Sequence, residues 1–269
     1  MSLKYFSKNG EILPIEEALI PVKNLEYSYG FGVYESIKIR KDKTFHLEVH
    51  IERLFNSATI VGVEHKLRQE EIIRYCKELI EKLEAQSFNI KILLIGARNP
   101  EDCLLFIIPS MPLFPRRDYY KNGVHTVSRV FERLFPQAKT LNMLGSYLAY
   151  SHARKKDCYD ALLIDREGFV LEGTRCNFFA MRGKDIISPP YEKVLDGITR
   201  RNLLKLAADN GYGYLEENIS FKELGSYDSF FLTSTSSKLL PISKIDDMDI
   251  SISEELKALV KLVLKDENF

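Results

Sequence analysis

"SYGFGVYESIKIRKDKTFHLEVHIERLFNSATIVGV", residues 28–63, passes from one backbone regime to another, and that passage decides the fold class. Gly30 and Gly32 stand two apart, directly ahead of a strand-like run carrying Tyr34, Glu35 and Ser36. Glycine there permits positive φ or a close main-chain approach, which suits a turn and equally a ligand pressed against backbone. The run turns around Lys41-Asp42-Lys43, and from Leu47 the spacing is helical. Leu47, Ile51, Leu54, Phe55 and Ala58 share one face, with His50, Arg53 and Ser57 together on an adjacent one.

Outward from this segment, strands and helices continue to mix. Upstream, "YFSKNGEILP" is a hairpin signal, because Asn9-Gly10 tolerates the positive φ values of a type I′ turn. Downstream, a helix over 69–83 precedes the strands "IKILLIG" and "CLLFIIP". "PSMPLFPRRDYYKNG", with three prolines and a charged run, reads as a linker. Then follow a strand in "VHTVSRVFE", a helix in "MLGSYLAYSHARKKD", a hairpin in "DALLIDREGFVLEG" around Glu167-Gly168, and "CNFFAM", which continues the sheet. A helix from about Thr199 to Asn210 stops at Gly211, "SFFLTSTSS" is a strand running into a hydroxyl-rich turn, and "EELKALVKLVLKD" is a closing helix. There is no regular βαβ repeat, so the expectation is an α+β protein of two domains, 1–115 and 121–269, joined by a linker at about 112–120.

A chain of 269 residues has room for a sizeable core. Its 38 acidic and 38 basic side chains balance, which leaves no electrostatic footprint for nucleic acid or an anionic membrane. No uncharged run approaches the roughly 20 residues that span a bilayer, and the expected location is cytoplasmic. Cys76, Cys103, Cys158 and Cys176 are scattered, in a pattern that fits neither a disulfide framework nor a zinc site, and no metal is expected.

Several residues have both a bland and a chemical reading. Lys139, in "FPQAKTLNML", is by itself a solvated charge, or else a partly desolvated amine able to condense with an aldehyde. Glu172, in "GFVLEGTRCNFF", is placed by strand alternation on the face of Val170; it faces solvent, or it sits inside paired with a cationic ligand nitrogen. In "KVLDGITRRNLL", Ile198 and Thr199 open a helix whose free N–H groups suit an anion, as every helix start does to some degree. Ser234 and Thr235 in "LTSTSSKLLP" form an ordinary turn or donate to phosphate oxygens. Arg53, with no carboxylate three or four residues away, is a surface charge or a phosphate clamp. Together these features ask for a phosphate, an aldehyde carbon and a protonated ring nitrogen, which pyridoxal 5′-phosphate combines.

The order of these motifs resembles that of the class IV aminotransferases, fold type IV of the pyridoxal-phosphate enzymes. That family includes branched-chain aminotransferases, D-amino acid aminotransferases and aminodeoxychorismate lyases. The resemblance runs from about Gly30 to Asp246, on "YGFGVYESI", "HIERL", "KTLNMLGSYLAYSHA", "DALLIDREGFVLEGTRCNFF", "DGITRRNLL" and "FLTSTSSKLLPI". It implies a smaller N-terminal α/β sandwich and a larger C-terminal domain with a β pseudo-barrel and helices, the cofactor between them. It implies that Lys139 is the Schiff-base lysine and Glu172 the partner of the pyridinium nitrogen. It also implies that Arg53, Ile198, Thr199, Ser234 and Thr235 cradle the phosphate, while Tyr34 and Ser236 line the substrate side. A homodimer is implied as well. Glu35 and Ser36 are left as support, with no assigned chemistry.

Some family lyases carry smaller or hydroxylated residues where this chain has Tyr34-Glu35, and that favours an aminotransferase acting on an amino acid and a 2-oxo acid. The alternatives are a pyruvate-eliminating 4-amino-4-deoxychorismate lyase and a non-catalytic pyridoxal-phosphate-binding protein; retention of both Lys139 and Glu172 argues against the latter. The D-amino acid enzymes resembled here use an Arg-x-His pair for the substrate carboxylate. This chain offers "GARNPED", with Arg98 in place and Pro100 where the histidine would stand.

Overall fold

Strand alternation builds the first sheet. A computed structural model describes residues 3–21, 23, 25–40, 43–83, 87–112, 114–267 and 269. The expected hairpin is β1 (Tyr5–Lys8) and β2 (Glu11–Pro14), with Asn9 and Gly10 at φ of 52° and 93°. A single turn, α1 (Leu25–Ser28), leads to β3 (Gly32–Arg40) and β4 (Lys43–Thr44). Lys41 and Asp42, expected to turn the chain there, lie outside the described residues. Helices α2 (Leu47–Val61) and α3 (Gln69–Leu83) and strands β5 (Ser87–Ile95) and β6 (Leu104–Ser110) follow. The sheet is antiparallel in the order β2-β1-β6-β5-β3-β4. Val33, Ile37, Ile90, Ile92, Leu94 and Leu105 on its strands share one buried cluster with Leu47, Ile51 and Leu54 of α2 and Ile72 and Leu79 of α3. Burial of this apolar face holds the unit together at roughly 25 cal/mol per Å².

The second unit starts with α4 (Tyr119–Asn122), β7 (Val124–Val130) and α5 (Leu144–Lys155). Next come β8 (Asp160–Ile164), β9 (Phe169–Gly173), β10 (Asn177–Arg182), β11 (Asp185–Ser188) and α6 (Ile198–Asp209). It ends with β12 (Gly213–Glu216), β13 (Ile219–Ser220), β14 (Ser229–Ser234), β15 (Lys238–Ile245), β16 (Met248–Asp249) and α7 (Glu254–Lys265). Strands β10-β14-β15-β7-β8-β9 pair in sequence, and β9 pairs back to β10 through Glu172↔Asn177, so six strands close into a pseudo-barrel. Leu162, Ile164, Val170, Phe178, Phe230 and Leu240 form its interior cluster. Outside, Ala149 and Ala153 of α5 pack on Ala161 and Leu163, while Leu203 of α6 and Leu256 of α7 pack with Phe179 and Phe231.

The chain divides into Met1–Leu113 with Gln137–Met143, and Phe114–Pro136 with Leu144–Phe269. Lys139, which the sequence reading places within 121–269, thus groups with the first unit. The reason is main-chain pairing: Tyr34 N–H donates to Lys139 O at 2.9 Å and Leu141 N–H to Gly32 O at 2.8 Å, with Val33 bridging to Thr140. Gly32 makes room for this, since a Cβ there would lie 2.6 Å from Leu94 O and 2.8 Å from Leu141 Cδ1. Among the described residues no helix is long and apolar enough to cross a membrane.

Candidate active site

In the first unit, β3 alternates Val33, Glu35, Ile37 and Ile39 onto the helix-covered face, with Tyr34, Ser36 and Lys38 on the other. A carboxylate therefore occupies a core position, and Glu35 is 0% exposed. Arg53 on α2 grips it at two points, Nε to Oε1 at 2.7 Å and Nη2 to Oε2 at 2.8 Å. His50, one turn earlier, places Nδ1 2.7 Å from Oε2. Burial alone would push the Glu35 carboxyl up, but the Arg53 charge and the hydrogen bonds from His50 and Arg53 outweigh it and hold it well below the usual carboxylate range. Burial, with the Arg53 and Lys139 charges adding to it, pushes His50 below its ordinary value despite Glu35. Arg53, 7% exposed, is thus neither a solvated charge nor without a carboxylate; its partner stands on a neighbouring strand.

Ser57, one further turn along the same face of α2, accepts the main-chain N–H of Lys139 at 3.1 Å. With Tyr34 N–H on the Lys139 carbonyl, both peptide groups of this lysine are tied down. Its Nζ lies 4.6 Å from the centroid of the Tyr34 ring, within cation–π range. Lys91 Nζ lies 5.2 Å from the same centroid, and the Tyr34 hydroxyl meets Met143 Sδ at 3.8 Å. Arg98 is exposed in the loop after β5 and makes no ion pair among the described residues.

In the second unit, Glu172 does not share the face of Val170. A β-bulge puts Val170 opposite Ile164 but Glu172 opposite Leu163, so the extra residue turns Glu172 away from the barrel interior. Its Oε1 accepts from Arg133 Nε at 2.6 Å, and Arg133 also donates to the carbonyl oxygens of Phe135 and Pro136. Its Oε2 lies 3.3 Å from Leu195 N–H. Asn177, the register partner of Glu172, donates to Leu195 O at 2.7 Å, which stitches the approach to α6 beside the glutamate. The N-cap of α6 is Gly197, with no side-chain cap, so the N–H groups of the first turn are left for an outside acceptor. A Cβ at Gly197 would meet Asn177 Oδ1 at 2.0 Å.

Across the sheet the row continues from Glu172 and Asn177 to Thr233, whose buried hydroxyl has no hydrogen-bond partner among the described residues. The turn after it carries Ser234, Thr235 and Ser236. Ser234 Oγ is 2.6 Å from Ser237 Oγ and accepts from Ser237 N–H at 3.2 Å. Glu172 and this turn are therefore carried by β9 and β14 on either side of β10, with the start of α6, Ile198 and Thr199, tied in beside them through Leu195; Lys139 docks beside Tyr34 on β3, and Arg53 on α2 bonds Glu35 on the other face of that strand. Sequence reasoning left Glu35 as support and grouped Ser57 with His50 and Arg53 without seeing the partner of either, and it missed Arg133. Glu35 had a signal, the alternation Val33-x-Glu35-x-Ile37; Arg133, in an unremarkable "VFERLF", had none.

The donor set suits pyridoxal phosphate. An amine is fixed at its main chain, a carboxylate keeps acceptor capacity, and an uncapped helix start lies where glycine is required.

Residues 32–245 match the family model described as amino-transferase class IV. The chain is 30% identical over 254 residues to a Methanocaldococcus jannaschii protein named provisionally as a branched-chain amino acid aminotransferase, covering 88% of this chain and 86% of that one. It is 28% identical over 251 residues to the D-alanine aminotransferase of Bacillus licheniformis, covering 90% and 88%. Among solved structures, the T.th. branched-chain amino acid aminotransferase with pyridoxamine 5′-phosphate superposes with a TM-score of 0.88 at 26% identity, over 97% of this chain and 93% of that one.

Proposed function

The chain belongs to the class IV aminotransferase family and is a pyridoxal-phosphate-dependent enzyme, and from that premise we propose that it moves the amino group of a branched-chain or D-amino acid to a 2-oxo acid. The observation that carries the reading is the main-chain clamp on Lys139, held by Ser57 and Tyr34 while its amine lies against the Tyr34 ring. Such a clamp suits a side chain that must swing between bonding partners without its backbone drifting. Pyridoxal phosphate, when bound, supplies the electron sink for the pair of electrons left at the donor's α-carbon.

The chain's own groups do the rest. Lys139 Nζ would hold the cofactor through its aldehyde carbon and, as a free amine, would carry the proton from the donor's α-carbon to the far end of the transfer. The Glu172 carboxylate, oriented by Arg133, holds a proton on the ring nitrogen. Arg53, the N–H groups of Ile198 and Thr199 and the hydroxyls of Ser234 and Thr235 receive the phosphate. Tyr34 lines the substrate side, and Arg98 and the backbone at Ser236 serve the substrate carboxylate. A homodimer completes the reading, supported by the exposed apolar row Leu144, Tyr147 and Leu148 on α5; light scattering of the purified protein tests it.

The test of substrate is the absorbance of the cofactor-loaded protein as single L- and D-amino acids are added. Conversion of the yellow form to the pyridoxamine form by branched-chain or D-amino acids is expected. No conversion by any of them, with pyruvate released from aminodeoxychorismate, would overturn the proposal in favour of the lyase.

A further inference from the structure

We propose that Glu35 is the positioning residue for cofactor phosphate, acting through Arg53. The inference rests on the reading that Arg53 receives that phosphate.

An apolar residue at position 35 would suit the cluster of Val33, Ile37 and Ile39 at least as well, because a buried ion pair is a poor source of stability compared with good packing. What the carboxylate adds is direction. With Nε and Nη2 both tied to one carboxylate, the guanidinium plane of Arg53 cannot turn about its terminal bonds. His50 Nδ1 fixes the carboxylate in turn, so these three hydrogen bonds between a strand and a helix restrict how the arginine is presented.

Glu35 also offsets the positive charge of Arg53, and the two effects oppose one another. Were Glu35 only a charge compensator, removing its charge would strengthen binding of a phosphate dianion. As a positioning residue, its loss weakens that binding although the site becomes more positive.

The experiment compares pyridoxal phosphate with pyridoxal, which lacks the phosphate, by absorbance titration of the apoprotein, and reads the ratio of the two dissociation constants. Glu35→Gln is expected to lower the preference for the phosphorylated form by about tenfold, with pyridoxal binding unchanged. Glu35→Asp, which keeps the charge but shortens the reach, is expected to lower it similarly. Arg53→Lys, which keeps the charge without the two-point grip, tests the same idea should the Glu35 variants fail to fold, and is also expected to lose preference. An unchanged or increased preference in Glu35→Gln, or full retention in Arg53→Lys, overturns the positioning role. Arg53→Ala separates the two readings: if it leaves the ratio untouched, Arg53 does not receive the phosphate at all. If it lowers the ratio while Glu35→Gln does not, only the role of Glu35 fails.

Discussion

Each unit sets one buried glutamate against one arginine at nearly the same distance, 2.7 Å for Glu35–Arg53 and 2.6 Å for Glu172–Arg133, yet the two carboxylates end in different states. Glu35 gives both oxygens to Arg53 and one of them to His50 as well. Glu172 receives one bond from Arg133 on Oε1 and a longer one, at 3.3 Å, from Leu195 N–H on Oε2, and so keeps room for another donor. On the proposed function, the closed pair belongs to the frame and the open one to the chemistry. Short contacts alone do not separate the two; the bonding capacity left over does.

The largest expected effect is that of Lys139→Ala, which removes the amine proposed to react and leaves both pairs in place. Turnover should fall by on the order of 10⁴-fold or more with the melting temperature nearly unchanged, measured by steady-state assay and calorimetry. Glu172→Gln should cut the rate by roughly 10²-fold while costing little stability, since the amide keeps an acceptor for Arg133. Glu35→Ala should do the reverse, destabilising the protein by about 3 to 5 kcal/mol in urea unfolding because Arg53 stays buried without its carboxylate. If both glutamates cost equal stability, the contrast between a closed and an open pair is wrong.

Acid sharpens the same contrast. Glu35 and His50 both titrate below their ordinary values when folded, so each contributes stability that is present above those values and lost as pH falls through them. Stability should begin to drop at about pH 6.5 as the unfolded chain's His50 protonates, and drop further below about pH 4.3 as its Glu35 does. Unfolding on either side of the histidine range checks the first step, which His50→Asn should flatten. The smallest effect is that of Ser57→Ala, about 1 kcal/mol, with a modest loss of rate as the Lys139 main chain loosens.

Much of this was legible in the sequence. Asn9-Gly10 named its hairpin, the apolar spacing from Leu47 named α2, and Gly211 marked the end of α6, because turns, helix faces and caps depend on neighbours in the chain. Less legible was whatever depends on distant partners. Arg53 looked unpaired because a search three or four residues along the helix cannot see Glu35, eighteen positions away. Strand period two misplaced Glu172 because a bulge adds a residue that no composition rule announces. The docking of Lys139 on β3 joins segments far apart in the chain, and only its glycine, Gly32, left a trace.

The barrel closes on a single rung, Glu172↔Asn177, where the other neighbouring strands of the ring share several. A ring fastened at one point behaves as a clasp, and thermal breathing should begin there. The same two residues bond to Leu195 through their side chains, so a ligand that engages Glu172 also tightens the clasp. Deuterium uptake at the amides of 172–177 would then report occupancy of the site from the opposite end of the energy scale, as slower opening rather than faster turnover.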